Sequence, residues 1–345
     1  MKYDFWVLYP INPTTLAKYR AAFAPSRAQD DPRDADYLLE RLVQHRDRLK
    51  AWRPDNAKTR TLQYLVESRR RLVNDRTRLS NRMTALLKAS FPQILQWFDD
   101  SRTLLVCDVL PRWPTVEALK KVRPATLETF FHAHHSVRRE TISGRMAALK
   151  EALPLTTDQA VMTSSVLMIN ALATQMKTTI EAIRAFDHEI EQRCNTHEEY
   201  HLFASLPGAG TVYAARLTAA MGTVRDRGTT VDELLCFSGG APVMERSGKS
   251  TWIRWRYVCP TFLRQSFHEY AGESINHACW ARASYMSQRA RGKSHQAAVR
   301  ALAFQWIRSI YKCWQTPTPY SAVRYLESLR KKGSPLLTFA ANNPS

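Results

Sequence analysis

The residues that could do chemistry fall in two short stretches. "VMERSGKSTWIRWRY" (243–257) holds one serine before one glycine, with Arg246 and Lys249 beside it and Arg254 and Arg256 alternating with Trp252, Trp255 and Tyr257. A serine that attacks a phosphodiester needs a base or a cationic setting, and positive groups on the non-bridging oxygens. Ser247 has the cations, and the tryptophans and tyrosine could stack on bases. The same alternation also describes a two-faced β-hairpin with a loop serine, and composition alone favours that reading. "DDPRDAD" (30–36) is the second stretch. Asp31 and Asp34 lie three apart, so at a helix start both carboxylates face one side, as a Mg²⁺ phosphoryl-transfer site requires. Acidic residues are also common in first turns for the sake of the helix dipole, and two carboxylates do not complete a two-metal site. A third, weaker feature is "PGAG" (207–210). Gly208 and Gly210 could present backbone N–H groups to a DNA phosphate, or serve only a turn with positive φ.

The elements that must position these residues read as mainly α. Apolar positions at 62, 65, 66, 72, 73, 79, 83, 86 and 87 predict a long helix over 57–90, with Arg69 and Arg76 on its stripe. A second long helix over about 160–194 keeps a heptad seam of Ile169, Ala173, Met176, Ile180, Ile183 and Ile190, broken by Asp187. Each wants a partner, within or between chains, in an antiparallel coiled-coil stalk. Five prolines punctuate 91–155, which predicts short helices. "FWVLYPINP" near the N-terminus reads as a buried strand. In the helix after it, Pro32 sits at the first position, and Leu38, Leu39, Leu42 and Val43 form an apolar stripe. From Tyr200 the pattern is helix, glycine turn, helix, then a β-prone segment, then helices to about Arg330, and residues 334–345 read as a frayed tail.

Charge points to the partner. The 345 residues carry a formal net charge of +19. Residues 41–90 hold 14 Lys/Arg against 4 Asp/Glu, and 246–330 hold 14 against 3. Two separated basic blocks suit an extended polyanion better than a lipid patch, because Lys and Arg gain affinity by releasing counterions from phosphates. No apolar run is long enough for a membrane span. Six scattered cysteines, with no paired spacing, imply neither a disulfide framework nor a zinc site and fit a cytoplasmic protein. The histidines of "HAHH" (132–135) read as a surface cluster.

Taken in order, "INPTTLAKYRAAFAPSRAQDDPRDA", a long helical spacer, "LPGAG", "LLCFSGGAPVMERSG" and "FLRQSF" resemble the insertion-sequence transposases of family one-ten, which use a bridge RNA as guide. The likeness runs from about Val7 to Arg330. It implies an RNase H-like (RuvC-like) domain whose Asp-Glu-Asp-Asp tetrad binds Mg²⁺, then a coiled-coil spacer, then a transposase domain with a nucleophilic serine. Carried over, Asp31 and Asp34 are the last two tetrad members, Ser247 is the nucleophile, and "PGAG" opens the transposase domain. Arg246, Lys249, Arg254, Arg256 and Arg264 would position phosphates. The tetrad's first Asp and its Glu lie upstream of anything in this sequence, so the resemblance implies a chain that starts inside the first domain. Gln29 stands where relatives often have lysine, and "VCPTFLR" (258–264) replaces a basic Lys-x-Gly step. The expected fold class is mainly α with a small α/β part. Its domains are an RNase H-like remnant (1–50), a helical coiled-coil spacer (51–198), a transposase domain (199–333) and a tail. The expected function is serine-mediated strand exchange in DNA transposition, with a guide RNA and a homodimer or homotetramer. The alternatives are a catalytically dead nucleic-acid-binding remnant, or a purely metal-dependent nuclease.

Overall fold

The structure, a computed structural model, describes residues 5–23, 30–98, 100–134, 136, 138–227 and 230–342. Gln29 and His135 lie outside the described residues. Two compact units divide the chain, one ending at Asn56 and the other beginning at Ala57.

The first unit holds helices α1 (Pro13–Phe23) and α2 (Asp31–Gln44). Asp30 is the extended N-cap of α2, Pro32 sits in its first turn, and Asp31 and Asp34 add negative charge where the helix dipole favours it. The predicted stripe of α2 is exposed in this unit: Leu39 and Val43 are 60% and 73% accessible. The buried strand is not there. Phe5, Trp6, Val7 and Leu8 are all exposed, and Leu8 makes a single antiparallel bridge to Trp52. A strand is buried only when neighbouring strands and a covering layer take up both faces. One bridge supplies neither.

The second unit is built on two long helices. Between α3 (Ala57–Ser90) and α9 (Gln159–Asn195) run α4 (Gln93–Trp97), α5 (Leu104–Arg112), α6 (Val116–Lys120), α7 (Pro124–Ala133) and α8 (Arg139–Glu151). The pairing is antiparallel and within the chain. Leu62 and Val66 near the start of α3 share one core with Ile190 and Cys194 near the end of α9. Met83 and Leu87 share a second core with Ile169, Leu172 and Ala173. All six predicted seam residues of α9 are buried. Phe91, just after α3, and Ile94, Leu110 and Phe131 of the short helices close the second core. Thr103 and Thr115 cap α5 and α6 by accepting backbone N–H bonds from Val106 and Ala118.

The two charged interruptions of the apolar stripes find each other. Arg69 Nε and Nη2 donate to the two carboxylate oxygens of Asp187, the second at 3.2 Å. A bidentate pair of this kind fixes the register of the two helices as well as adding energy. In a double-mutant cycle on Arg69→Ala and Asp187→Ala, urea unfolding should give a coupling of about 0.5–1.5 kcal/mol. Additive single losses would show that the pair contributes nothing.

The C-terminal part packs α10 (Tyr200–Ala204), α11 (Gly210–Met221), α12 (Val231–Phe237), a hairpin of β1 (Val243–Ser247) and β2 (Ser250–Arg254), then α13 (Thr261–Ser274), α14 (Cys279–Ala290), α15 (His295–Gln315), α16 (Ala322–Lys331) and α17 (Pro335–Asn342). Its core is aromatic. Trp306 on α15 is fully buried, with its ring 4.5 Å from that of Trp280, 5.1 Å from Tyr270 and 5.3 Å from Tyr320. Each buried indole has an acceptor: Trp306 Nε1 donates to Ser274 Oγ at 2.7 Å and Trp280 Nε1 to Tyr320 Oη at 2.8 Å. Residues 335–342, expected to fray, instead form α17 against α14, with Leu336 against the core. Pro335 opens that helix and an apolar residue docks it, which a reading of its polar end alone does not register. No described helix is long and apolar enough to cross a membrane.

Candidate functional site

Ser247 is the last residue of β1 and pairs with Ser250 across the turn Gly248–Lys249, in which Gly248 has φ 58°. The antiparallel register sets Val243, Glu245 and Ser247 opposite Arg254, Trp252 and Ser250 on one face. Met244 and Arg246 lie on the other, opposite Ile253 and Thr251. Every residue of the hairpin from Met244 to Arg254 is exposed. The stretch is therefore a β-hairpin, and its serine is accessible at the tip.

The base of the hairpin is closely packed. A Cβ on Gly239, at φ 75°, would lie 2.6 Å from Cys259 Sγ, so only glycine lets the segment before β1 approach the one after β2 this closely. Arg256 Nε donates to Ala241 O at 3.3 Å, and Arg264 Nη1 to Tyr257 O at 3.5 Å. The five predicted cations thus divide. Arg256 and Arg264 brace the base, and Arg254 pairs with Glu245 at 3.3 Å on the Ser247 face. Arg246 and Lys249 are exposed beside the tip, Arg246 pointing away from the serine's face. Trp255 lies under Arg300, 4.7 Å from its guanidinium, while Trp252 and Tyr257 are 49% and 77% exposed.

Gly208 and Gly210 form the turn between α10 and α11. Gly208 has φ 73°, and a Cβ there would sit 2.4 Å from the His277 ring. The glycine is required by the fold, and Gly210, at φ 51°, opens α11 where a Cβ would meet nothing within 4 Å, so a side chain there meets backbone strain without a clash. Gly208→Ala should destabilise the protein by about 1–3 kcal/mol, since it combines a strained φ with a clash. Gly210→Ala should cost clearly less, and chemical unfolding of both variants compares them.

In the first unit, both oxygens of Asp34 accept from Arg20 Nη1, at 2.7 and 2.9 Å. Asp31 is exposed. No cluster of three or more His, Cys, Asp or Glu residues able to hold a metal ion occurs among the described residues. A hard divalent cation takes about six oxygen ligands. One free carboxylate and one already held by arginine do not fit that demand. His132 is exposed, and His134 Nδ1 faces Asp108 at 3.6 Å, beside Lys177 at 2.7 Å. The described residues contain six free cysteines, and burial pushes the Cys107 thiol up to about 12.

Two contacts were invisible to motif reading. Arg20 sits in α1 with nothing to mark it as the partner of Asp34. Arg216, buried on α11, pairs with Glu269 on α13. An arginine at a position whose neighbours are all apolar (Ala214, Ala215, Leu217) was the available signal for the second.

Comparisons with known proteins match two separate segments of the chain. A DEDD model of the IS110 group, described as a transposase, matches residues 3–92. A model described as the transposase IS116/IS110/IS902 family matches residues 200–286, which include the glycine turn and the Ser247 hairpin. A Streptomyces coelicolor protein named as the transposase of the IS117 mini-circle is 25% identical over 329 residues, spanning 90% of this chain and 76% of the relative. An uncharacterized 44.8 kDa protein of insertion element IS116 from Streptomyces clavuligerus is 28% identical over 79% of this chain and 68% of its own length. The chain thus has the two-part build of an insertion-sequence transposase. It belongs to the IS110 family.

Proposed function

We propose that this transposase binds DNA and exchanges strands through Ser247. The exposure of that serine at the tip of a braced, cation-flanked hairpin, inside the matched transposase segment, carries the reading. Ser247 Oγ forms a bond to a backbone phosphorus while the bond from phosphorus to one bridging deoxyribose oxygen breaks. The serine proton leaves, and the departing strand ends in a free hydroxyl. The phosphoserine link keeps the bond energy for rejoining to a second strand. Lys249, in the turn beside the serine, stands where it can neutralise the non-bridging oxygens, while Arg246 offers its charge from the opposite face. Arg254 would join them on release from Glu245, and Arg256 and Arg264 contribute by holding the hairpin base as well as by charge.

Specificity rests on a guide RNA, with target choice delegated to base pairing, as in other RNA-guided systems. The basic face of α3 is the candidate backbone contact. A homodimer or homotetramer would assemble through surfaces other than the α9 seam, which α3 already covers. Membership of a DEDD family suggests divalent-metal dependence. Asp31 and Asp34 do not by themselves fit such an ion, and no step here runs through one.

Paired variants test the proposal. Ser247→Ala should lose covalent DNA attachment and strand exchange. Asp34→Asn should leave the serine's chemistry to the remaining groups. If Ser247→Ala still cleaves DNA while Asp34→Asn does not, a metal-dependent nuclease replaces this reading.

A further inference from the structure

The turn between α14 and α15 is a cationic surface that the proposed chemistry does not use. From Ser274 to Leu326 the chain carries eight Lys/Arg and no Asp or Glu. Three of the eight, Arg289, Arg291 and Lys293, fall within five residues at that turn. Every residue from Arg289 to Gln296 is exposed. Other cations of this unit are matched, Arg193 by Glu189, Arg225 by Glu199 and Arg308 by Asp232, whereas none of the three turn cations makes an ion pair among the described residues.

The turn is fixed by its own backbone. Gly292 N donates to Arg289 O at 2.9 Å and Lys293 N to Gln288 O at 3.2 Å. These two bonds close a helix end through a left-handed residue, here Gly292 at φ 77°. Arg289 Nη1 adds a bond to Lys293 O at 2.8 Å. Ser294 then caps α15 by accepting from Ala297 N at 3.3 Å. A contact made by Arg291 and Lys293 therefore has little backbone left to order.

The position of the turn selects the partner. Arg300 on α15 lies 4.7 Å from the Trp255 ring at the root of the hairpin, and Gln296 bonds to His268 of α13 at 2.7 Å. Five residues of helix at about 1.5 Å each separate His295 from Arg300, so the turn ends about 8 Å along α15 from that contact. The strand from Ser250 to Trp255 adds about 17 Å. A duplex of 20 base pairs is about 70 Å long, enough to lie on Ser247 and on the turn together. The side chains from Arg289 to Gln296 include no Phe, Tyr or Trp, and the imidazole of His295 is held by Tyr285 at 2.9 Å. A single strand is held by stacked bases as well as by charge, whereas a duplex offers a regular run of phosphates and keeps its bases stacked inside. Cations without a stacking platform suit the duplex.

We propose that the α14–α15 turn grips, through Arg291 and Lys293, the phosphate backbone of duplex DNA flanking the bond attacked by Ser247. The inference rests on the DNA-binding reading above. Fluorescence anisotropy of the full chain tests it, with two labelled 20-base-pair duplexes of unrelated sequence titrated across salt concentrations. The unaltered chain is compared with Arg291→Ala/Lys293→Ala and with Lys120→Ala/Lys121→Ala, which removes the same charge from exposed positions at the end of α6. The turn pair should lower the slope of log affinity against log salt by about 2, and weaken both duplexes alike by at least about tenfold at 0.1 M salt. The α6 pair should change neither. If the alanine pair at the turn does not fold, Arg291→Gln/Lys293→Gln keeps the side-chain length and decides. Equal losses in the turn and α6 pairs would reduce the effect to net charge and overturn the inference. Unchanged duplex binding with weakened binding of a 20-nucleotide RNA would overturn it in favour of an RNA surface. In both cases the DNA-binding reading would stand. No duplex binding by the unaltered chain would remove that reading, and this inference with it.

Discussion

Ser247→Ala is expected to lower strand exchange by at least about a thousandfold, the scale seen when an enzyme loses its nucleophile. The loss should be chemical and not structural. Ser247 is exposed at a strand end, and surface substitutions of that kind change stability by only about ±0.5 kcal/mol. Unfolding curves of the two proteins should therefore coincide, and DNA affinity should hold, because Arg246, Lys249 and the basic face of α3 are untouched. Gel separation of denatured protein–DNA mixtures reads the outcome: a slow-migrating adduct with the unaltered chain, none with the variant. Residual exchange within tenfold of the original would remove Ser247 from the mechanism.

Trp306→Ala should produce the largest loss of stability, about 3–5 kcal/mol. Three aromatic rings surround Trp306, and its indole N–H is used by Ser274. Truncation leaves a large void and removes the indole's bond to Ser274, whose hydroxyl keeps its own bond to Ala271 O at 2.8 Å. Against a typical total of about 5–15 kcal/mol, that is a substantial share. The damage should reach the hairpin, because Trp306 lies beside Ile307, whose Cδ1 is 2.6 Å from the position of a Cβ on Gly240 just before β1. Trp306→Phe keeps most of the ring and should lose clearly less. Comparable denaturation midpoints for the alanine variant and the parent would show that this aromatic cluster does not hold the C-terminal fold.

The long helices were legible because their signal is local and periodic. Nine apolar positions on α3 and six on α9 repeat at helical spacing, and the helix bounds fall within a few residues of expectation. Even the exceptions carried information: Arg69 and Asp187 interrupt two apolar stripes and pair with each other. The hairpin was legible as alternation, and the glycine turn as composition. What failed depended on partners distant in sequence. The apolar run at the N-terminus looks like a buried strand whether or not other strands flank it. The Arg20–Asp34 pair and the hydrogen-bonded Arg70–Gln265–Glu269–Arg216 chain join segments 14 to 195 positions apart, at no spacing a periodicity can reveal. The serine was found by residue type and motif order, while its accessibility and the bracing beneath it needed coordinates.

The most direct test of serine-mediated exchange is the site of covalent attachment. The unaltered chain is incubated with guide RNA and substrate DNA, quenched in denaturant, digested with nuclease and protease, and analysed by mass spectrometry. The account predicts a nucleotide-bearing phosphate on Ser247, in the peptide that contains "RSGK". Attachment at another residue, or cleaved DNA with no protein link at all, would contradict it.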